Sequence, residues 1–263
     1  MIRFDEQAET FDLRAGLADE ICRDIANVLK QLIQPLPADK LLDIGAGTGR
    51  IGVHIAKIPL HYIGMDISAA MLDVFRDRIQ TKNTTIELVC ADANQNWPIS
   101  DHSVRIIFSS RAIHWLAIDH VVKELFRVTS KKGAVFITGR VEREKDSVRT
   151  AMRRKMRELL KEQGIDSLSG EAHGKQLFSA CFSRGALRKI DPLIASRWTV
   201  SHSPLNSLES WRMKPGLAGR TVPLQIKNKI LNRLETWAEK IYGSLDTTLA
   251  SEETYILEGV WLR

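Results

Sequence analysis

The sequence predicts an α/β protein built on a doubly wound, parallel sheet. In the first 140 residues, short apolar runs typical of buried strands alternate with segments whose apolar residues recur at helical spacing. Parallel neighbours in a sheet need crossover connections, and these helices provide them. A Gly-rich turn directly follows the first strand, at the place where such sheets bind ligands.

The predicted elements of this part follow one another in a regular order. A helix that runs through Ile58 follows the Gly-rich turn, and Pro59 ends it because proline lacks the amide hydrogen that a helix needs. Ser68 is placed to cap the start of the next helix. The predicted strands are 40–44, 61–66, 85–91, 104–110 and 134–138, and the other helices are 19–33, 69–79 and 119–128.

After residue 140 the pattern of apolar and polar residues changes. Apolar residues recur at helical spacing in two long segments, whereas apolar and polar residues alternate in two others. This pattern indicates two long helices and two strands that close the sheet. The helices cover 148–160 and 226–241, and the strands cover 195–202 and 253–262.

The same change of pattern predicts how the chain is organised. We expect the helices within 141–183 and 204–245 to form a helical cap over the ligand-binding crevice. The chain then has an N-terminal helical segment that covers the site (1–34), a cofactor-binding core (35–140) and a last segment with the cap and two strands (141–263).

Composition predicts a globular, cytoplasmic protein without a membrane partner. Of the 263 residues, 44% are hydrophobic and 27% are charged, which excludes collagen-like, coiled-coil and disordered chains. The apolar runs are too short to cross a bilayer, and the start at Met1 lacks a signal segment. Cys22, Cys90 and Cys181 lie far apart with no ligand at metal spacing, so we expect buried thiols and no metal. The oligomeric state stays open.

Basic residues are concentrated in one stretch of the chain. The net charge is +6, and the segment 140–162 alone holds nine basic and five acidic residues. Such a patch is suited to nucleic acid or to an acidic carrier. It is also typical of a solvated helix face with salt-bridged neighbours, and we favour this second interpretation.

The Gly-rich turn predicts a cationic ligand. The dinucleotide fingerprint requires a small residue at position 50, where this chain has Arg50. Asp43 lies two residues before the first glycine, and its carboxylate would repel a pyrophosphate. A ligand with an ammonium or sulfonium group would instead be attracted. The charge pattern therefore favours a cationic cofactor over a nicotinamide dinucleotide.

Two further acidic residues follow the next two strands. Asp66 ends the second strand, 23 residues after Asp43, where a carboxylate can accept hydrogen bonds from both hydroxyls of a ribose. The alternative is that Asp66 only stabilises the start of the following helix. Asp92 follows the third strand and can accept a hydrogen bond from an adenine amino group, with Ile67 and Ala91 as apolar walls.

At this point the sequence resembles the class I S-adenosylmethionine-dependent methyltransferases. The resemblance rests on Asp43-x-Gly-x-Gly-x-Gly, Gly64-Met-Asp66-Ile-Ser, Ala91-Asp92-Ala93 and the turn at 125–133, in order and at normal spacing. It covers residues 35–140. The resemblance implies a Rossmann-like, seven-stranded sheet of order 3-2-1-4-5-7-6 with an antiparallel last strand, and S-adenosyl-L-methionine as the cofactor.

The resemblance also assigns roles to residues. Asp43 would contact the amino group of the cofactor directly or through water, and the segment Phe11-Asp12-Leu13-Arg14 would fold over the cofactor. The resemblance implies that Gly45, Ala46 and Gly47 line the methionyl moiety, that Asp66 binds the ribose, that Asp92 with Ala93 flanks the adenine, and that the segment from Ser109 to Arg111 runs past the methionine tail. The further candidate cofactor-binding residues are Gly49, Ile67 and Ala91, the last two as walls of the adenine slot, and Arg14.

The acceptor side resembles enzymes that methylate small carboxylic acids. Ala112-Ile-His-Trp-Leu is similar to the matching segment of trans-aconitate and of malonyl-carrier-protein methyltransferases. This implies O-methylation of a small-molecule carboxylate by in-line displacement. His114 is the candidate general base, although it is equally well explained as a neutral histidine held in a loop. The candidate acceptor-site residues are Phe11, Arg111, Trp115, Trp211 and Arg212.

Two other functions stay open on the sequence. The basic helix over 140–161 would suit an RNA-modifying methyltransferase, but the Asn/Asp-Pro-Pro-aromatic motif of base-amine methylation is absent, and Ser109-Ser-Arg-Ala stands in its place. We therefore do not expect a nucleic-acid substrate. A protein that binds the cofactor without catalysis is the second alternative.

Overall fold

In a computed structural model of the chain, the structure describes residues 12, 16–79, 85–166, 170–214 and 216–262. The chain divides into two compact units. The first unit comprises Met1–Val141, Gly170–Ser196 and Tyr255–Arg263, and the second comprises Glu142–Ser169 and Arg197–Thr254.

A seven-stranded sheet organises the fold. Its strand order is β3-β2-β1-β4-β5-β9-β6, which confirms the predicted order because β6 and β9 are its sixth and seventh strands along the chain. The four pairs among β1 to β5 that the structure describes are parallel. The strands are β1 (Lys40–Ile44), β2 (His61–Asp66), β3 (Ile86–Cys90), β4 (Ile106–Ser110), β5 (Val135–Arg143), β6 (Arg188–His202), β7 (Gly216–Leu217), β8 (Arg220–Thr221) and β9 (Leu249–Trp261).

Eight α-helices connect and cover the strands in the described part of the chain. The side chain of Ser68 accepts a hydrogen bond from the amide of Met71, which confirms the predicted helix cap. The helix after the Gly-rich turn has only four residues, because the chain turns more tightly, with i to i+3 bonds, before Pro59. The helices are α1 (Asp19–Ile33), α2 (Gly52–Ile55), α3 (Ala69–Arg78), α4 (Ile118–Val128), α5 (Val148–Glu162), α6 (Gly170–Ser183), α7 (Pro204–Arg212) and α8 (Leu224–Tyr242).

The first unit is built around the central strands. Residues of β1 and β4 are buried almost continuously, as is typical of parallel strands that have helices on both faces. Helix α1 is strongly amphipathic and buries Ile25, Leu29 and Ile33. Burying such an apolar side chain contributes about 1.5–3 kcal/mol. Helix α1 packs against α2, the short helix that follows the Gly-rich turn.

The side chain of Tyr255 lies beside Ser110 at the end of β4 and beside Gly139 of β5. Its ring is fully buried, and its hydroxyl lies 2.5 Å from the hydroxyl of Ser110. A Cβ atom at Gly139 would collide with this tyrosine ring. Residue 139 therefore has to be a glycine for Tyr255 to occupy its position.

The second unit contains helices α5, α7 and α8, which pack on one another. Met152, Leu208 and Leu234 are fully buried in its apolar core, and the short strands β7 and β8 form an antiparallel pair. The strand β5 continues through Arg143, five residues beyond the predicted end, because pairing of the backbone extends it further than the local apolar run. Whether these helices cap the crevice stays a prediction.

In the described ranges, each helix is either too short or too polar to serve as a membrane span. The cytoplasmic location therefore stays a prediction.

Candidate functional site

The Gly-rich turn lies between β1 and α2 and is tied to the end of β2. The amides of Gly45 and Ala46 both donate to the carbonyl oxygen of Met65, at 2.8 and 3.1 Å. Gly45, Gly47 and Gly49 have φ angles of +74°, +56° and +74°, which residues with a side chain rarely adopt. The turn therefore depends on all three glycines.

The turn is crowded at both ends and open in the middle. A Cβ atom at Gly45 would collide with the side chain of Ala112, and one at Gly49 would collide with the ring of Phe75. At Gly47 the nearest atom to such a Cβ would be 4.0 Å away. The backbone at Gly47 is thus the part of the turn that a ligand can approach.

Asp66 lies at the end of β2 and faces this open part of the turn. Its Oδ2 accepts a hydrogen bond from the amide of Gly47 at 2.8 Å, and its Oδ1 accepts one from the amide of Ser68 at 2.9 Å. Each carboxylate oxygen can accept a second hydrogen bond. The two amides therefore hold the carboxylate in place at the end of β2, beside the open part of the turn.

Asp43 is the buried carboxylate of the site. Asp43 is 2% exposed. Its Oδ2 accepts a hydrogen bond from the hydroxyl of Tyr62 at 2.6 Å, whereas its Oδ1 has no hydrogen-bond partner among the described residues. Burial raises the pKa of Asp43 to about 7, against the hydrogen bond from Tyr62, which lowers it. The charge of Asp66 raises this pKa further.

These residues fit the implied cofactor. A buried carboxylate oxygen that lacks a donor is costly, and an ammonium group would supply both the donor and the opposite charge. The open backbone at Gly47 and the anchored Asp66 suit a ligand that also carries adjacent hydroxyl groups. S-adenosyl-L-methionine carries both features.

The segment after β3 joins the site through backbone and side-chain contacts. The amide of Ala91 donates to the carbonyl oxygen of Asp66 at 2.9 Å, and the amide of Asn94 donates to Oδ1 of Asp92 at 2.8 Å. The side chain of Asn94 then bonds the carbonyl of Trp115 at 3.2 Å and the amide of Ala117 at 2.6 Å. Asn94 thus links the predicted adenine segment to the predicted acceptor segment, a role that the sequence analysis missed.

The acceptor segment follows β4. Arg111 has a φ of +59°, and its amide donates to the carbonyl of Gly139 at 3.0 Å. His114 and Trp115 lie in a short 3₁₀ turn, are exposed, and have ring centroids 4.9 Å apart. Partial desolvation is the main cause that lowers the pKa of His114, and the charge of the nearby His173 lowers it further. The imidazole is therefore neutral at pH 7 and can accept a proton.

The loops that follow the first three strands also carry three predicted cofactor-binding residues, Ala46, Ile67 and Ala93. Ser109 is fully buried, and its hydroxyl donates to the carbonyl oxygen of Ile44 at 2.8 Å. Its side chain is therefore used to join β4 to β1, and its backbone position is paired with Thr138 of β5.

The predicted N-terminal segment is described only in part. Phe11 and Arg14 lie outside the described residues. Asp12 between them accepts a hydrogen bond from the hydroxyl of Thr48 at 2.8 Å and pairs with Arg78. The acidic residue of this segment therefore reaches the Gly-rich turn.

Two predicted acceptor residues belong to the second unit. Trp211 is buried in its apolar core, and Arg212 forms an ion pair with Glu235 at 2.5 Å. Their assignment to the acceptor site stays a prediction.

Tyr62 is the second residue that the sequence analysis missed. It was predicted only as part of a strand, yet it is fully buried and is the one described residue that bonds Asp43 through its side chain. The sequence does contain a signal for this contact. Tyr62 places a hydroxyl group within an otherwise apolar strand, and this strand pairs with the strand that contains Asp43.

Comparison with known proteins identifies the family of the central segment. Residues 41–133 match the family described as a methyltransferase domain. This range contains the Gly-rich turn, Asp66, Asp92 and His114.

Two curated relatives are similar to about half of the chain. A malonyl-[acyl-carrier protein] O-methyltransferase from Marinomonas is 36% identical over 139 residues, which are 51% of this chain and 48% of that protein. The biotin biosynthesis bifunctional protein BioHC from Cellvibrio japonicus is 36% identical over 136 residues, 51% of this chain and 26% of that protein. The match therefore spans at most about half the length of these relatives.

Solved structures share the fold over most of the chain. A proposed methyltransferase from Bacillus halodurans has a TM-score of 0.57 and 16% identity, with 90% of this chain and 98% of that chain covered. The YcgJ protein from Bacillus subtilis has a TM-score of 0.56 and 18% identity, with 90% and 97% covered.

Proposed function

Because this chain contains a class I S-adenosylmethionine-dependent methyltransferase domain, we propose that it methylates a carboxylate on a small or carrier-bound acceptor. The observation that carries the proposal is the buried Asp43, whose second oxygen receives no hydrogen bond from the described residues and which lies beside an open, anchored Gly-rich turn. This arrangement suits a cofactor that is positively charged. The malonyl-[acyl-carrier protein] O-methyltransferase among the relatives supports a carboxylate acceptor.

The residues of the site then have separate tasks. Asp43 binds the ammonium group of the cofactor, Asp66 accepts hydrogen bonds from its ribose hydroxyls, and the backbone at Gly47 allows its close approach. When bound, S-adenosyl-L-methionine supplies a methyl group that its sulfonium already activates. The protein therefore has to align the acceptor and exclude water, which can contribute roughly 7–11 kcal/mol to catalysis.

A carboxylate acceptor needs no general base, since it is already ionised at pH 7. We assign Arg111 to hold this carboxylate, because a guanidinium can bind both of its oxygens. His114, with its lowered pKa, packs beside Trp115 and shapes the acceptor side without taking a proton.

The test is methyl transfer from a cofactor labelled in its methyl group. Malonyl-acyl carrier protein, malonyl thioesters and small di- and tricarboxylic acids are offered as acceptors. We expect label in a methyl ester, which mild base releases as methanol. Arg111→Gln should raise KM for the acceptor about tenfold or more, and His114→Asn should change kcat less than about threefold.

Other outcomes would contradict the proposal. Label that resists mild base would show transfer to nitrogen or carbon, and label in RNA would show a nucleic-acid substrate. Calorimetry with S-adenosylhomocysteine separates the two steps, because binding without transfer to any acceptor would leave a cofactor-binding protein without catalysis. Binding of a nicotinamide dinucleotide in place of S-adenosylhomocysteine would exclude the cofactor assignment as well.

A further inference from the structure

The chain leaves β4 through a corner that is attached to β5. Ser110 is the last residue of β4 and lies opposite Gly139 in the parallel pair of β4 and β5. The amide of the next residue, Arg111, donates to the carbonyl oxygen of Gly139 at 3.0 Å. We call Ser110, Arg111 and Gly139 the corner. The acceptor segment with His114 and Trp115 follows the corner directly.

The backbone of the corner has an unusual conformation. Arg111 has a φ of +59°, in the left-handed region that residues with a β carbon rarely adopt. Such a conformation persists only where the surrounding contacts hold it, and it occurs most often at functional sites. The contacts of the two neighbours, Ser110 and Gly139, therefore decide whether Arg111 keeps this conformation.

Tyr255 of β9 contacts both of these neighbours. Its hydroxyl lies 2.5 Å from the hydroxyl of Ser110, and a Cβ atom at Gly139 would collide with the same tyrosine hydroxyl. Among the described residues, each of the two hydroxyls has the other as its one hydrogen-bond partner. A single buried side chain thus holds β4 and β5 together at the corner.

The hydroxyl of Tyr255 keeps its proton. Burial is the main influence and raises the pKa of Tyr255, whereas the hydrogen bond to Ser110 and the charge of Arg111 lower it. The phenol is therefore neutral at pH 7 and forms the same hydrogen bond with Ser110 throughout the neutral range.

The corner also lies against the Gly-rich turn. A Cβ atom at Gly45 would collide with the side chain of Ala112, the residue that follows Arg111. The turn itself is tied to the end of β2 by its bonds to Met65 and Asp66. The position of the corner therefore sets where the acceptor segment begins relative to a turn that is fixed independently.

We propose that Tyr255 is a positioning residue for the acceptor: its hydroxyl, through Ser110, holds the backbone at Arg111 and thereby places the acceptor segment. The inference rests on the proposed function, because it takes the segment after β4 as the acceptor side. The acceptor binds while the corner is held, so its apparent affinity falls with the fraction of molecules in which the corner is held.

Tyr255→Phe tests this role, because it removes the hydroxyl and keeps the buried ring. KM for a malonyl thioester should rise about fivefold or more, whereas kcat should fall less than about twofold because bound acceptor favours the held corner. Kd for S-adenosylhomocysteine should change less than about twofold, since the Gly-rich turn is tied to β2. An acceptor KM that stays within about twofold of that of the unchanged protein would overturn the proposal.

Thr138→Val is the matched control. Thr138 precedes Gly139 on β5, is 4% exposed, and donates from its hydroxyl to the carbonyl oxygen of Glu258 at 3.4 Å. The substitution removes one buried hydroxyl from the same strand and leaves the bond between Ser110 and Tyr255 in place. The acceptor KM of Thr138→Val should stay within about twofold. Equal increases in Thr138→Val and Tyr255→Phe would show a general loosening of the sheet and would contradict the assigned role.

Ser110→Ala removes the same hydrogen bond from its other side. Its acceptor KM should also rise about fivefold or more. The double variant of Ser110→Ala and Tyr255→Phe should lie within about twofold of the higher single variant, because residues that share one bond are not additive. Increases that multiply in the double variant would show that the two hydroxyls act separately, and the proposal would fail.

Hydrogen exchange of the cofactor-free protein tests the corner without any acceptor. In Tyr255→Phe, exchange of the Arg111 amide should speed up about fivefold or more beyond any change at the Val135 amide, which bonds the carbonyl of Arg105 earlier on β5. Equal acceleration at both amides would overturn the proposal. If the unchanged protein transfers no methyl group to any acceptor, the proposed function fails, and this exchange rate then decides whether Tyr255 holds the corner.

Discussion

The two units each contain a buried carboxylate, and the two carboxylates are satisfied in opposite ways. Asp43 in the first unit receives one hydrogen bond from the neutral Tyr62, and its other oxygen receives none from the part of the chain that the structure describes. Glu253 in the second unit receives two charged donors on one oxygen, from Arg143 and Arg149. The negative charge of Asp43 therefore has no positive partner among the described side chains that bond it, whereas the negative charge of Glu253 has two.

This difference predicts which of the two carboxylates needs a charged ligand. A carboxylate that has only a neutral donor leaves negative potential, which a cation can complete. A carboxylate that accepts from two guanidinium groups has its charge balanced within the protein. The same type of side chain thus differs in its need for a ligand, and the decisive information is the identity of its partners.

The strongest test of the comparison is the pH dependence of stability. Folding raises the pKa of Asp43 to about 7 from about 3.9 in an unfolded chain, so between these values the folded protein binds a proton that the unfolded chain has released. Stability of the cofactor-free protein should therefore fall as pH rises through this window. From pH 5 to pH 8 the contribution of Asp43 is about 3 kcal/mol.

Urea unfolding of Asp43→Asn at both pH values measures this effect. We expect the drop in the free energy of unfolding to be about 3 kcal/mol smaller in the variant than in the unchanged protein. The variant should also lose the increase in S-adenosylhomocysteine affinity that the unchanged protein gains as Asp43 ionises. An identical drop in both proteins would show that Asp43 is already ionised at pH 5.

The next effect compares a glycine at the site with a glycine in the second unit. Gly49 and Gly164 have φ angles of +74° and +73°, but a Cβ atom would collide with Phe75 at Gly49 and would meet nothing within 4 Å at Gly164. Gly164→Ala should cost about 1 kcal/mol of backbone strain, and Gly49→Ala should cost about 2 kcal/mol more. Thermal unfolding of the two variants measures the difference, and equal costs would show that Phe75 moves freely.

Glu253→Gln should lower the free energy of unfolding, whereas Asp43→Asn should raise it at pH 8. The substitution leaves Arg143 and Arg149 without their shared charge, and we expect a loss of about 1–2 kcal/mol because both guanidinium groups are partly exposed. Urea unfolding measures this loss. A variant that is as stable as the unchanged protein would contradict the described ion pairs.

The smallest expected effect is that of Tyr62→Phe. Its hydroxyl donates to Asp43 and lowers the pKa of that carboxyl, so the variant should shift the pH midpoint of S-adenosylhomocysteine binding upward by about one unit. Affinity at pH 9 should be nearly unchanged, which distinguishes loss of this hydrogen bond from a disturbed fold. An unshifted midpoint would show that the hydroxyl of Tyr62 does not influence the ionisation of Asp43.

The sheet and the Gly-rich turn could be predicted because their signals are local. An apolar run, a glycine-rich turn and a helix cap such as Ser68 each lie within a few residues, and the strand order followed from the family resemblance. The short helix α2 and the long strand β5 were predicted less well. Their ends depend on tight turns and on backbone pairing with distant residues.

The partners of the two buried carboxylates could not be predicted. Tyr62 bonds Asp43 across 19 residues, and Arg143 bonds Glu253 across 110 residues. In the sequence, the arginines of 140–162 were interpreted as a solvated face with salt-bridged neighbours, and two of them do form ion pairs with Glu253. The acid that they share becomes apparent only when the fold brings Glu253 to them.

The contact between Gly139 and Tyr255 limits how this scaffold can be redesigned. The two positions share one volume, so enlarging residue 139 requires shrinking residue 255 in the same step. A library that varies either position alone will return mostly misfolded chains, whereas paired changes will explore new shapes near Ser110. Protein engineers should therefore treat these two positions as a single unit of variation.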